Sequence, residues 1–198
     1  MCERSNLDIA MRLLECGANV VIRPDLNMTA LHCVAMAQYE SVVIAELLLK
    51  YKCPLNMRTV QAGETPLFLA CNSGFAEIVE FLLKNGVNPN EASASHRTCF
   101  QQAIFRGYKN IIMLLLSYNY KPSEDDYIDM NLLIMDLYQD NDTDMLKYLL
   151  EKKLTNYETI LKAIKELSKS DGTEEDINNA KKNANVTTVN ELLKFLKL

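Results

Sequence analysis

The sequence predicts an all-α fold: a solenoid of stacked helix–turn–helix units with a helical C-terminal cap. Two markers recur along the 198 residues at intervals near 33, and a period of this size is typical of repeat architectures. The first marker is a pair of adjacent leucines, which returns after 35, 34, 33 and 34 residues. The pairs begin at Leu13, Leu48, Leu82, Leu115 and Leu149. The second marker is a segment that starts with a threonine, at Thr29, Thr65 and Thr98.

The two helices of each unit are predicted from local signals. A threonine hydroxyl accepts a hydrogen bond from a free N–H in the first turn of a helix, and Pro66 after Thr65 loses no helical hydrogen bond. Small residues stand where the paired helices approach closely, at Ala35, Ala70 and Ala103. The second helix of the clearest unit repeats apolar residues at helical spacing, at Ile78, Val79, Leu82 and Leu83. Gly74 falls between the two helices of that unit.

The residues from Gly63 to Asn90 resemble an ankyrin repeat. They read GETPLFLACNSGFAEIVEFLLKNGVNPN, and the family pattern is G-x-TPLH-x-AA-x-x-G-x-x-x-IV-x-x-LL-x-x-GA-x-x-N. The resemblance covers about residues 6–154 and implies one ankyrin-repeat domain over residues 1–154. Its units are a half repeat at 6–22 and repeats at about 23–56, 57–90, 91–123 and 124–154. The resemblance also implies a non-enzymatic module that binds a partner protein.

The first and last units depart from this pattern. The half repeat matches only a second helix, which leaves Ile9 and Leu13 on an apolar face without a preceding repeat. Such a face is either covered by a missing N-terminal segment or is itself an interface, self-association included. The fourth repeat keeps mainly its length and its leucine pair, and Asp136 stands where the family has a small alanine.

The tail over residues 155–198 follows a different pattern. Apolar residues recur at helical spacing over 157–168 and again over 188–198, on either side of a break at 170–173. These segments predict a helical cap that shields the last repeat, as the ends of solenoids require. The alternative is a sixth, degenerate repeat that is interrupted by an insertion.

Composition limits the classes of function. The formal net charge is -5, so nucleic acid is not an expected ligand, because affinity for phosphate requires clustered lysine and arginine. The longest apolar run, 111–116, is far shorter than the ~18 residues of a membrane-spanning helix, and no signal peptide is visible. The six cysteines stand singly, with no CxxC pair. These features indicate an intracellular protein, cytoplasmic or nuclear, without membrane association.

No catalytic residue, cofactor site or metal site is predicted. The two histidines, His32 and His96, lie 64 residues apart, and neither has a ligand at a recognised metal spacing. The resemblance implies a structural role for His32, which takes the place of the histidine in the TPLH motif. Cys99 replaces the proline of that motif. It is either a tolerated small residue at a helix start or a reactive thiol whose pKa the helix N-terminus lowers.

The negative charge is concentrated in the second part of the chain. Residues 1–120 carry ten basic and ten acidic residues, whereas residues 121–198 carry eleven and sixteen. The stretch 122–146 has no basic residue and eight acidic ones, including Asp126 and Asp129. It is either a solvated loop with helix caps or an acidic patch that binds a basic partner.

Partner-binding candidates follow from the motif positions that, in the family, lie in the turns and on the exposed side of the first helices. In the two clearer repeats they are Arg58, Glu64, Asn72, Ser73, Arg97, Gln102, Phe105 and Arg106. In the fourth repeat and its acidic stretch they are Asp126, Asp129, Met130 and Tyr138. Phe105 carries most weight, because an aromatic residue beside arginine on an exposed face has the composition of a binding hot spot. A register shifted by one residue would instead bury Phe105 in the core.

The predicted function is a protein–protein interaction module, an adaptor or inhibitor, that binds its partner on the concave ankyrin surface, with the acidic C-terminal end as a second contact. The alternative is a substrate-receptor subunit of a cullin-type ubiquitin ligase with a diverged SOCS-box-like tail. The helix over 190–197 is slightly similar to the end of such a box. However, Lys165 stands near the place of the box cysteine, and the expected prolines are missing.

Overall fold

The structure is a computed structural model, and it describes part of the chain. The described residues are 2–123, 126, 130, 133–134, 136–137, 140 and 142–151. The chain divides into two compact units, Met1–Lys121 and Pro122–Leu198. The boundary predicted at 154/155 and the tail 155–198 lie outside the described residues, so the division into a repeat domain and a cap stays a prediction.

The first unit is built from consecutive helices joined by turns. Within its described residues the helices are α1 (Cys2–Glu15), α2 (Ala30–Ala35), α3 (Val42–Lys50), α4 (Pro66–Ser73), α5 (Ala76–Lys84), α6 (Cys99–Phe105) and α7 (Lys109–Ser117). A short antiparallel hairpin precedes α2, with strands β1 (Val21–Arg23) and β2 (Met28–Thr29) around a 3-10 turn at Pro24–Leu26. In its register Val21 pairs with Thr29, and Arg23 pairs with Met28. The helix pairs α2/α3, α4/α5 and α6/α7 lie within the repeats predicted at about 23–56, 57–90 and 91–123.

Each first helix begins at a threonine cap, as predicted. The hydroxyl oxygens of Thr29, Thr65 and Thr98 accept hydrogen bonds from the backbone N–H groups of His32, Phe68 and Gln101, at 3.4, 3.2 and 3.1 Å. At α6 the Gln101 side chain also accepts from the Thr98 N–H at 3.0 Å. This reciprocal capping box satisfies two donors that the first turn of a helix would otherwise leave free.

The core of the first unit forms between neighbouring helix pairs. The first helices contact one another in the order α2, α4, α6, and the second helices in the order α1, α3, α5, α7. The predicted small residues Ala35, Ala70 and Ala103 are fully buried, which confirms their place between closely packed helices. The largest fully buried side chains of this unit are Phe100, Leu31, Leu67, Ile78, Leu82, Ile111, Ile112 and Leu115.

The turns of successive repeats are joined by hydrogen bonds. The Val60 N–H donates to the Leu26 carbonyl at 3.0 Å, and the Ala94 N–H donates to the Ala62 carbonyl at 2.9 Å. The separations of 34 and 32 residues match the repeat period. The turns of successive repeats therefore lie beside one another.

The last residues of the first unit contact the N-terminal end of α6. The rings of Tyr120 and Phe100 stack with their centroids 4.6 Å apart. The Tyr120 hydroxyl lies 3.0 Å from the Thr98 hydroxyl and donates a hydrogen bond to it. The residue that follows, Lys121, donates its N–H to the Asn90 side chain at 2.8 Å.

The second unit is helical wherever it is described between residues 126 and 137, and it continues in α8 (Thr143–Glu151). Its buried apolar residues are Met130, Leu133, Ile134, Leu137, Met145, Leu146 and Leu149. Asp136, which the sequence placed at the position of a small alanine, is exposed, whereas its neighbour Leu137 is fully buried. Asp136 therefore does not take the place of the buried alanines of the other repeats, and that alignment is wrong.

Gly74 offers a test of the contact between successive repeats. Its φ is +81°, and a Cβ added there would lie 2.7 Å from Cζ of Tyr108. Gly86 has the same φ, with no atom within 4 Å of such a Cβ, so Gly86→Ala isolates the cost of the left-handed backbone, about 1–2 kcal/mol. We expect Gly74→Ala to lower the free energy of unfolding by a further ~1 kcal/mol or more, because the Tyr108 ring must move.

Urea unfolding of both variants measures this difference. In the double variant Gly74→Ala/Tyr108→Ala the clash is absent, so the effect of the Gly74 substitution is expected to fall to that of Gly86→Ala. Equal losses in the two single variants would show that the Tyr108 ring does not resist displacement.

Candidate functional site

Three of the predicted residues form an exposed cluster, the Phe105 cluster, which consists of Arg97, Phe105 and Arg106. Phe105 is the last residue of α6 and is 69% exposed, as the motif alignment predicted. The guanidinium carbon of Arg97 lies 5.3 Å from the centroid of the Phe105 ring, and that of Arg106 lies 5.9 Å from it. Both distances are within the range of cation–π attraction. The ring therefore holds two positive charges next to an exposed apolar surface.

A hydrogen-bond network fixes the two arginines. The side-chain oxygen of Asn72, at the end of α4, accepts from Nε and Nη2 of Arg106 at 3.1 and 2.8 Å. The same oxygen accepts from the side-chain Nε2 of Gln102 at 2.6 Å. The side-chain oxygen of Gln102, Oε1, accepts from Nη1 of Arg97 at 3.3 Å. The network joins α4 to α6, so the arginines are positioned by two neighbouring repeats.

The structure corrects the sequence-based expectation that Gln102 is exposed. It was expected on the exposed surface, but only 6% of it is accessible. The reason is that its amide lies between Asn72 and Arg97 and donates to the one while it accepts from the other. Gln102 positions the cluster and does not offer itself to a partner. The 30-residue separation of Asn72 and Gln102, close to the repeat period, is the sequence signal that these two side chains meet.

The remaining candidates of the repeat 57–90 lie at the turn and at the end of α4. Arg58 is exposed, but its guanidinium donates to the Ala92 carbonyl and lies 3.7 Å from the Glu91 carboxylate. Glu64 and Ser73 are half-buried. The charge of Arg58 is therefore balanced within the unit, whereas no carboxylate among the described residues pairs with Arg97 or Arg106.

The structure corrects the expectation that two partner-binding candidates of the second unit are exposed, because both are buried. Asp126 is fully inaccessible, and its carboxylate accepts from the N–H and the hydroxyl of Ser123 at 2.6 and 3.1 Å. This spacing is that of a capping box, in which the carboxylate serves the start of its own helix. Met130 is 1% exposed and packs in the core. Asp129 and Tyr138 lie outside the described residues.

Other acids of the stretch 122–146 also serve helix ends. The Asp142 carboxylate accepts from the Met145 N–H at 3.1 Å, at the start of α8. Asp144, in the first turn of the same helix, lies 3.9 Å from the Lys147 ammonium. For Asp126 and Asp142 the structure favours helix capping over recognition of a basic partner.

His32 has the structural role that the resemblance implied. It is fully buried, and the Thr29 N–H donates to its Nδ1 at 3.1 Å. Because a backbone N–H only donates, Nδ1 is unprotonated and the neutral ring carries its proton on Nε2. Burial lowers the pKa of His32, and the nearby backbone groups of Glu64 and Met57 offset this only in part. Nε2 itself makes no hydrogen bond of good geometry to the described residues.

Cys99 is a packed residue of the core. It is 1% exposed at the start of α6, and its thiol interacts with that of Cys71. Burial, and to a lesser extent a hydrogen bond with the Cys99 thiol, raises the pKa of the Cys71 thiol well above its ordinary value. The reading of Cys99 as a reactive thiol fails on access, because a reagent does not reach a fully packed sulfur.

The described part of the chain places no three His, Cys, Asp or Glu side chains together in a group that would hold a metal ion. In the same part of the chain, none of the helices combines the length and apolar character needed to cross a bilayer.

Known proteins resemble the N-terminal part of this chain. A family model described as "Ankyrin repeats (3 copies)" matches residues 1–93 and 37–126. The ankyrin repeat and KH domain-containing protein mask-1 of Caenorhabditis elegans is 34% identical over 113 residues, which are 57% of this chain and 4% of that protein. The human NAD-capped RNA hydrolase NUDT12 is 35% identical over 88 residues, 44% of this chain and 19% of that protein.

A third relative is the glycerophosphocholine phosphodiesterase gde1 of Schizosaccharomyces pombe. It is 34% identical over 83 residues, which are 42% of this chain and 7% of that protein. In all three cases the similarity spans less than a fifth of the relative's own length.

The buried neutral His32 predicts how stability depends on pH. Since the pKa of His32 in the folded chain lies below the ordinary value of 6.5, the unfolded chain takes up the proton first as the pH falls. Its contribution to the free energy of unfolding is complete above pH 6.5 and decreases as the pH falls below that value. The slope from this one group is at most about 1.4 kcal/mol per pH unit.

Urea unfolding between neutral and mildly acidic pH measures this slope. His32→Gln is expected to reduce it, whereas His96→Asn, at the exposed second histidine with a φ of +61°, is expected to retain it. The same slope in all three proteins would assign the acid lability to other groups.

Proposed function

The chain belongs to the ankyrin repeat family, and on that premise we propose that it is a non-enzymatic adaptor or inhibitor that binds a partner protein on one surface of its repeats. Ankyrin repeats support a protein-interaction module in general. The specific surface consists of the turns and the exposed parts of α2, α4 and α6, with the Phe105 cluster on α6 as its main anchor. We extend the proposal to an intracellular setting, cytoplasmic or nuclear, for which the singly placed cysteines are the support.

The exposure of Phe105 carries this proposal. A phenylalanine that stays in water forgoes about 1.5–3 kcal/mol of burial free energy, and a bound partner recovers it. Phe105 is 69% exposed, although the same helix buries Phe100 completely. The aromatic ring and its flanking arginines belong to the residue types that dominate binding hot spots.

The network beneath the cluster supports recognition by a preformed surface. Asn72 and Gln102 accept three hydrogen bonds of 2.8–3.3 Å from the arginines, and a fourth, of 2.6 Å, joins Gln102 to Asn72. Side chains that are ordered before binding lose less conformational entropy when the partner arrives. The partner therefore meets a rigid site and not a set of mobile side chains.

The similarity to two enzymes gives no reason to assign their activities to this chain. The matches to gde1 and to NUDT12 cover 7% and 19% of those proteins. The tail on which a SOCS-box-like reading depends lies outside the described residues, and no observation on the described part favours that reading.

Replacement of Phe105 by alanine tests the proposed surface. Loss of an aromatic hot-spot residue costs about 2 kcal/mol or more in binding, so we expect an affinity loss of roughly 30-fold. Stability is expected to change by no more than about 0.5 kcal/mol, since the side chain is exposed. The control is Met113→Ala on α7, the second helix of the same repeat, where an apolar side chain is 41% exposed.

The measurement is affinity capture from cell extract with quantitative mass spectrometry, followed by titration of each purified binder. Proteins that the wild type and Met113→Ala retain, and that Phe105→Ala loses, support the proposed surface. Full retention of every binder by Phe105→Ala would refute it.

A further inference from the structure

We propose that the Phe105 cluster binds an acidic segment of a partner protein, in which carboxylates engage Arg97 and Arg106 while an apolar side chain covers Phe105. This inference rests on the proposed function and specifies the chemistry of the partner. It differs from the basic partner that the acidic stretch 122–146 suggested, and it concerns another surface.

The first argument is that the two arginines have no counter-charge among the residues that the structure describes. Their acceptors are the neutral side chains of Gln102 and Asn72. Within the described residues, neither Arg97 nor Arg106 forms an ion pair with a carboxylate. Three other cations of these residues do have a carboxylate partner: Arg58 pairs with Glu91, Lys84 with Glu80 and Lys147 with Asp144. Arg97 and Arg106 differ from the remaining unpaired cations because both lie against one exposed aromatic ring.

The second argument is the set of donors that remains free. A guanidinium carries five N–H donors in a planar fork. Arg106 directs Nε and Nη2 to Asn72, and Arg97 directs one Nη1 donor to Gln102. The other donors are available to a carboxylate, and the fork matches the two oxygens of that group.

The third argument is the position of the ring. Both guanidinium groups lie against Phe105, at 5.3 and 5.9 Å from its centroid. A partner that covers the ring excludes water from the same place, which strengthens the attraction between the arginines and a carboxylate. One segment satisfies all three residues when acidic side chains flank an apolar one.

An acidic protein segment fits this site better than nucleic acid does. Binding to nucleic acid draws on many phosphate contacts, commonly about 6–10 for a specific complex. Residues 1–120 carry ten basic and ten acidic residues, so they offer no general positive field. Two arginines beside one apolar ring provide a local anchor, which suits a short peptide.

The test uses a random dodecapeptide library displayed on phage and selected on the intact chain. We expect the selected peptides to be enriched in Asp and Glu on both sides of an apolar residue. The most enriched sequence is then synthesised with a fluorophore, together with a twin in which Asn and Gln replace Asp and Glu. Fluorescence anisotropy gives the affinity of both peptides at low and at high salt.

The decisive variant is Arg97→Gln/Arg106→Gln, and its control is Lys50→Gln/Lys84→Gln. The control removes the same charge from exposed residues at the ends of the second helices α3 and α5. We expect the arginine variant, the neutral twin peptide and high salt each to weaken binding by about tenfold, and the control to leave it unchanged. Circular dichroism melting verifies that both variants fold.

The outcomes separate this inference from the proposed function. Selected peptides without acidic enrichment that still depend on Phe105 would leave the proposed surface intact and overturn the acidic partner. Failure to select any peptide, or binding that ignores the arginine variant, would overturn it as well. The inference also fails if duplex DNA binds through the two arginines. It fails likewise if the chain dimerises through them, because the occupant is then a second copy of the chain.

Discussion

The stacking of neighbouring helix pairs is the constraint from which the rest of the first unit follows. Two short helices do not enclose their own apolar residues, so each pair is stable only against the next. Burial along the chain shows the effect. In α4, which contacts both α2 and α6, all six residues from Pro66 to Cys71 are buried. In α1, which begins the series of second helices, Ile9 and Leu13 stay more than half exposed.

The same constraint creates the Phe105 cluster. Close approach of α4 and α6 requires small residues between them, and Ala70 and Ala103 meet that need. The polar side chains at the ends of these helices then come within hydrogen-bond distance, which brings Asn72 to Gln102 and Arg106. A buried amide without partners costs several kcal/mol, so the network is required by the packing beneath it. The arrangement of the arginines is thus a consequence of the stacking.

Features that depend on local sequence and on the period were predictable. The threonine caps, the structural His32, the buried alanines and the exposure of Phe105 all follow from motif position. The fourth repeat was not predictable in the same way, because it lacks those motif residues. A sequence shows that Asp126 is acidic, but not that Ser123 will satisfy it at the start of a helix. Likewise, the motif position predicted that Gln102 is exposed, but it could not show that hydrogen bonds to Asn72 and Arg97 bury its side chain.

The charge that a partner is expected to carry depends on which charges of this chain lack a counter-charge, and not on the net charge. The net charge of -5 counts every acid equally, although Asp142 caps a helix and Glu91 and Glu80 pair with cations. Charges that are satisfied within the chain add little to contact with a partner, and exposed charges farther away than about 10 Å are screened by salt. Arg97 and Arg106 instead have neutral acceptors and lie on one exposed ring. A carboxylate of a partner at this point would therefore meet two cations that no carboxylate of the described residues pairs with.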